Sequence, residues 1–118
     1  MNQNSDTMLY LAIFLFAVGA VFGIINASAI IRKQPTPKPV VFLHGLLGAS
    51  GITILIIYVI QHADRNPMVS LVLLAIAALG GFILFARDMA KKPGPVALVL
   101  IHAFMALAGV VALVLFVL

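Results

Sequence analysis

Apolar residues fill four long stretches of this chain, and charged residues are confined to the gaps between them and the N-terminal tail. The stretches run over residues 8–31, 40–60, 68–86 and 96–118. Each reaches roughly the 20 residues that a helix needs to cross a bilayer. Their apolar character is continuous rather than alternating, and each is about twice the roughly 10 residues of a barrel strand. In lipid a helix satisfies its own backbone, so the pattern predicts four membrane-spanning helices. Residues 1–7 read as a short polar tail. Ala27-Ser28-Ala29 has the look of a signal-cleavage site, but no basic residue precedes the first run, and the run is too long for a signal core.

The gaps carry a second pattern. Lys33 to Gly45 reads KQPTPKPVVFLHG, and Lys91 to Ala103 reads KKPGPVALVLIHA. A shift of 58 residues, without a gap, aligns Lys33 with Lys91, Pro35 with Pro93, Pro37 with Pro95 and His44 with His102. Beyond the motif it aligns Gly23 with Gly81, Gly51 with Gly109 and Leu55 with Leu113. The expected fold is therefore all-α and integral to the membrane. It is a four-transmembrane-helix antiparallel bundle built from a tandem two-helix repeat. Residues 1–118 form a single membrane domain, with repeat one over about 1–60 and repeat two over about 61–118. The copies would be related by a pseudo-twofold axis along the membrane normal.

Composition narrows the chemistry. The chain is 64% hydrophobic and 8% charged, too apolar for a soluble domain of 118 residues. It has no cysteine and no glutamate; Asp6, Asp64 and Asp88 are its only acidic side chains. Disulfides, thiolate sites and most intramembrane carboxylate chemistry are thereby excluded. The net charge of +4 does not imply nucleic acid, because the cations sit in short turns. Arg32, Lys33, Lys38, Arg87, Lys91 and Lys92 lie in the first and third turns, against Arg65 alone in the second. This bias predicts a bacterial inner-membrane protein with both termini outside the cytoplasm.

Two histidines stand out, because an ionisable residue within a span is costly and suggests function. His44 and His102 occupy the same depth on helices two and four. Below them run His44, Gly48, Gly51, Leu55 and His102, Ala106, Gly109, Leu113, each on one helical face. A histidine above small residues leaves a slot for a flat apolar ring. Two such faces meet the needs of haem b, with His44 and His102 as axial ligands to the iron and Gly48, Gly51, Ala106 and Gly109 as thin walls. Lys33, Lys38, Lys91 and Lys92 are expected to pair with its propionates. In bundle topology and in this pattern the chain resembles four-helix membrane b-type cytochromes. That resemblance implies electron exchange with the quinone pool or a protein partner. One haem at one depth cannot carry electrons across a bilayer by itself.

Other readings stand beside this one. The histidines also suit interhelical hydrogen bonds in a non-catalytic scaffold or accessory subunit. A minimal transporter or channel needs a polar path that the spans lack. In size the chain is similar to small multidrug-resistance transporters, but helix one has no counterpart of their membrane glutamate. Zinc is disfavoured for want of ligands. There is no Walker loop, GxSxG, HExxH or CxxC, so the sequence names no catalytic residue. Gly19 and Gly23 form a GxxxG, mirrored by Ala77 and Gly81, for packing within the bundle or a homodimer face. Asn26 is expected to bond across helices, with His44 as a candidate partner. Ser50, Thr53 and Ser70 are expected to bond back to their own helices. Asp88 is expected to pair with Arg87, His62 to be solvated or interfacial, and Tyr10 and Tyr58 to anchor the outer interface.

Overall fold

The computed structural model describes residues 3–118; residues 1 and 2 of the expected polar tail lie outside them. Four helices follow in order: α1 (Gln3–Ile31), α2 (Lys38–Gln61), α3 (Met68–Met89) and α4 (Val96–Val117). All four are long and apolar enough to cross a membrane, as in an integral membrane protein. The body measures 46 × 22 × 21 Å, the shape of one antiparallel bundle standing along its helix axes.

The helices overrun the apolar stretches by a few residues. α1 takes in the polar stretch from Gln3, with Asp6 in its first turn, where a negative charge suits the helix dipole. α3 continues through Arg87 and Asp88 to Met89, because backbone bonding ends at a cap rather than at the first charge. Pro37, Pro67 and Pro95 are the N-caps of α2, α3 and α4. A proline there loses nothing, since the first N–H groups of a helix have no intrahelical partner.

α1 and α3 end alike. Gln34 N–H donates to Ala29 O and Lys33 N–H to Ile30 O; Lys92 N–H donates to Arg87 O and Lys91 N–H to Asp88 O. Each pair is a Schellman closure. Its left-handed position holds lysine where glycine is usual, with φ of 56° at Lys33 and 57° at Lys91.

α1 packs chiefly on α2 and α3 on α4, with lighter α1–α4 and α2–α3 seams; α2 and α4 are diagonal. Gly19, the first glycine of the GxxxG, faces Leu47 of α2 within the bundle, where a Cβ would lie at an ordinary contact distance of 3.5 Å from Leu47 Cβ. Leu9, Ala12, Phe16, Leu55, Tyr58, Leu74 and Leu113 form one buried cluster. They come from the early parts of α1 and α3 and the late parts of α2 and α4. The dense core therefore fills the end of the bundle away from the lysine-bearing turns. Elsewhere the surface is apolar; Ile24, Val69 and Phe82 are each 69% exposed, as suits lipid contact.

Several polar expectations change at that dense end. Tyr58 is fully buried rather than interfacial, and its ring stacks on His62 at 4.0 Å. His62 is half-buried, and its Nδ1–H donates to Tyr58 O at 2.9 Å. Ser70 donates to Gly109 O of the neighbouring helix α4 at 2.7 Å rather than to its own helix. Thr53 does bond back, to Ala49 O at 2.8 Å, and Tyr10 is exposed. Arg65 closes this end, with its guanidinium 4.3 Å from the Phe116 ring centroid and Nη2 donating to Phe116 O.

Candidate functional site

The half of the bundle nearer the lysine turns holds a pocket that opens to the outside, where its lining residues Ile24, Phe82 and Leu107 are exposed. A cavity of about 1020 Å³ runs between all four helices, and its lining includes His44, His102, Asn26, Gly48 and Ala106. The lining is overwhelmingly apolar, as small-molecule sites commonly are.

His44 and His102 come together in it. Their ring centroids are 6.0 Å apart, with ring planes at 80°. Each ring is fixed by the neighbouring helix of its own hairpin. His44 Nδ1–H donates to Gly19 O at 2.8 Å, and His102 Nδ1–H donates to Ala77 O at 2.6 Å. A carbonyl only accepts, so both Nδ1 atoms carry the proton. In the neutral ring that leaves Nε2 with its lone pair, the arrangement typical of a metal-ligating histidine with a backbone second-shell partner. Neither Nε2 makes a hydrogen bond among the described residues.

The glycines explain how the rings reach those carbonyls. A Cβ on Gly23 would stand 2.9 Å from His44 Cε1, and one on Gly81 would stand 3.0 Å from His102 Cε1. Each imidazole lies on a glycine of the adjacent helix, four residues beyond the carbonyl it bonds. The second small residue of each pair, Gly23 and Gly81, is thus a seat for a ring.

The expected slot below the histidines is only half present. Gly48 and Ala106 line the cavity, and a Cβ on Gly48 would meet nothing within 4 Å. Gly51 and Gly109 do not line it. A Cβ on Gly51 would meet Phe16 Cε1 at 2.6 Å, and one on Gly109 would meet Leu74 Cγ at 2.6 Å. Those two glycines seat Phe16 and Leu74 from the partner helices, and it is these side chains that line the cavity there.

Lys33 and Lys91 are outside the histidine cavity as well. They line a second pocket of about 680 Å³ between the first and third turns. The two spaces share Ile30, Thr36 and Asp88 as common wall. Thr36 Oγ1–H donates to the Asp88 carboxylate, whose oxygens lie at 2.8 and 2.9 Å, and Lys38 Nζ reaches Asp88 Oδ2 and Thr36 Oγ1 at 2.8 Å. Asp88 therefore pairs with Lys38, 50 residues away, and not with Arg87, which donates to Pro93 O. No sequence signal marked Thr36, whose counterpart 58 residues on is Gly94.

Asn26 does not bond His44. Its Oδ1 is buried at the cavity without a hydrogen-bond partner. Among the described residues no three His, Cys, Asp or Glu side chains gather as a metal-ion site, so the donor set is two imidazoles. Two nitrogen donors suit an iron whose other four positions come from a macrocycle. Comparison with known proteins gives no match among family models, curated proteins or solved structures.

Proposed function

We propose that this protein is a small membrane b-type haem protein with His44 and His102 as axial ligands. The observation that carries the reading is the matched pair of imidazoles. Each is anchored through Nδ1, and both border one apolar cavity. The cavity is large enough for a cofactor, and Gly48 and Ala106 keep part of its wall thin. Asn26 Oδ1 adds an unsatisfied acceptor that a ligand donor or a water would complete.

The bound haem would supply one-electron redox chemistry. The work we infer is electron exchange with the quinone pool or a protein partner, a second copy of the chain included. The six-to-one distribution of basic residues supports a bacterial inner-membrane location with the histidines toward the cytoplasmic face and the termini on the other side. The 58-residue register supports descent from one duplicated hairpin: His44 to Gly19 and His102 to Ala77 are the same contact in each half.

A second reading rests on those same two hydrogen bonds, which also tie α2 to α1 and α4 to α3. On it the histidines are structural and the protein is a colourless accessory subunit. An absorption spectrum of the detergent-purified protein, produced with haem available, separates the two. The haem reading expects a Soret band that sharpens with dithionite, with resolved α and β bands, lost in both His44→Ala and His102→Ala. A colourless protein that also fails to take up added haemin refutes it.

A further inference from the structure

The second pocket has its own chemistry. Lys33 of the first turn, Lys38 at the start of α2, and Lys91 and Lys92 of the third turn all line it. Asp88 is the one acid in its wall, and it is already engaged by Lys38 and Thr36. Among the described residues Lys33, Lys91 and Lys92 form no ion pair, so three free cations converge on one space. The Schellman closures fix where two of them leave the backbone, because Lys33 and Lys91 are held in the same left-handed conformation. The rest of the wall includes the apolar residues Ile30, Ile31 and Val96 at the ends of the spans, and Gly94 in the third turn. Cations above an apolar wall at a bilayer boundary complement a molecule with an anionic head and hydrocarbon tails. The separation of this pocket from the histidine cavity by Thr36 and Asp88 leaves these lysines free for such a role.

We infer that the pocket between the first and third turns binds the phosphate headgroup of an anionic phospholipid. Lys33, Lys91 and Lys92 hold the phosphate, and Ile30, Ile31 and Val96 border the start of its acyl chains. The inference does not depend on haem. It makes the lipid a clamp between the two hairpins, since the first turn supplies one cation and the third supplies two.

The test uses the full chain in vesicles of phosphatidylcholine mixed with phosphatidylglycerol. The protein is extracted in mild detergent and its retained lipid is measured by native mass spectrometry. The wild type is expected to retain phosphatidylglycerol over phosphatidylcholine. Removing each lysine should lower that preference roughly fivefold, the weight of one cation at an anionic membrane surface. The variants Lys33→Gln, Lys91→Gln and Lys92→Gln are made singly and together. Helicity by circular dichroism checks that each folds, and Lys92→Arg should keep the preference. Arg65→Gln, at the opposite end, should also leave it unchanged. Equal retention of the two lipids by the wild type, or an unchanged preference in the folded triple variant, overturns the proposal. So does displacement of the lipid by inorganic phosphate alone, which would make this a site for a free anion.

Discussion

The imidazoles of His44 and His102 stand 6.0 Å apart, centroid to centroid, on α2 and α4, whose Cα atoms nowhere approach within 8 Å. Each ring reaches inward over a glycine of the neighbouring helix of its own hairpin, Gly23 for His44 and Gly81 for His102. The seat is therefore as sensitive as the ring. Gly23→Ala should displace the His44 ring and Gly81→Ala should shift the His102 ring by less, each straining an Nδ1 anchor at up to about 1–3 kcal/mol of overpacking. Haemin titration of the folded variants should show weakened uptake. Undiminished uptake in both would mean that the Nδ1 anchors do not position the ligands.

The four glycines on the histidine helices should divide into two classes. Gly51→Ala and Gly109→Ala drive a methyl into Phe16 and Leu74 and should cost about 1–3 kcal/mol. Gly109→Ala should be the worse, since its Cβ meets Leu74 Cγ at 2.6 Å and the Leu74 backbone N at 3.3 Å. Gly45→Ala and Gly48→Ala meet nothing within 4 Å and should be neutral, or gain up to about 1 kcal/mol from helix propensity. Thermal melts in one detergent give the order.

Asn26 carries a buried acceptor with no partner. Asn26→Leu, the residue that stands 58 positions on at Leu84, should stabilise the ligand-free protein by about 1–3 kcal/mol, the cost of an unsatisfied buried polar group. A lower melting temperature would show that Asn26 is satisfied by water.

The Thr36–Lys38–Asp88 cluster joins the two hairpins at the lysine-bearing end. Asp88→Asn should cost about 1–2 kcal/mol, because it weakens a charge-assisted partner of the buried Thr36 hydroxyl and of the exposed Lys38 ammonium. Arg87→Gln should cost less. Equal losses would restore the Asp88–Arg87 pairing expected from adjacency.

Lysine at a left-handed helix C′ position carries roughly 1–2 kcal/mol of backbone strain. Lys33→Gly and Lys91→Gly should recover part of it, raising the melting temperature in neutral detergent. A fall in both would show that the lysine side chains contribute more than the strain they impose.

The spans, their order, their turns and the common depth of His44 and His102 were all legible along the chain. These properties are local. Twenty apolar residues exclude water wherever they sit, a proline ends a helix by its own geometry, and a 58-residue register is a matter of counting. The glycine stripe was legible as a stripe but not as a wall. Which gap Phe16 and Leu74 fill depends on how α1 is rotated against α2 and α3 against α4, and a helix alone does not set its rotation. For the same reason adjacency suggested Arg87 for Asp88, when the turn over the bundle end brought Thr36 and Lys38 to it instead. Sequence determined which residues cross the membrane and which two could serve as ligands. Tertiary structure decided that the two rings meet, that Gly23 and Gly81 are their seats, and that the lysines face a separate pocket, because side chains from four helices must share one interior.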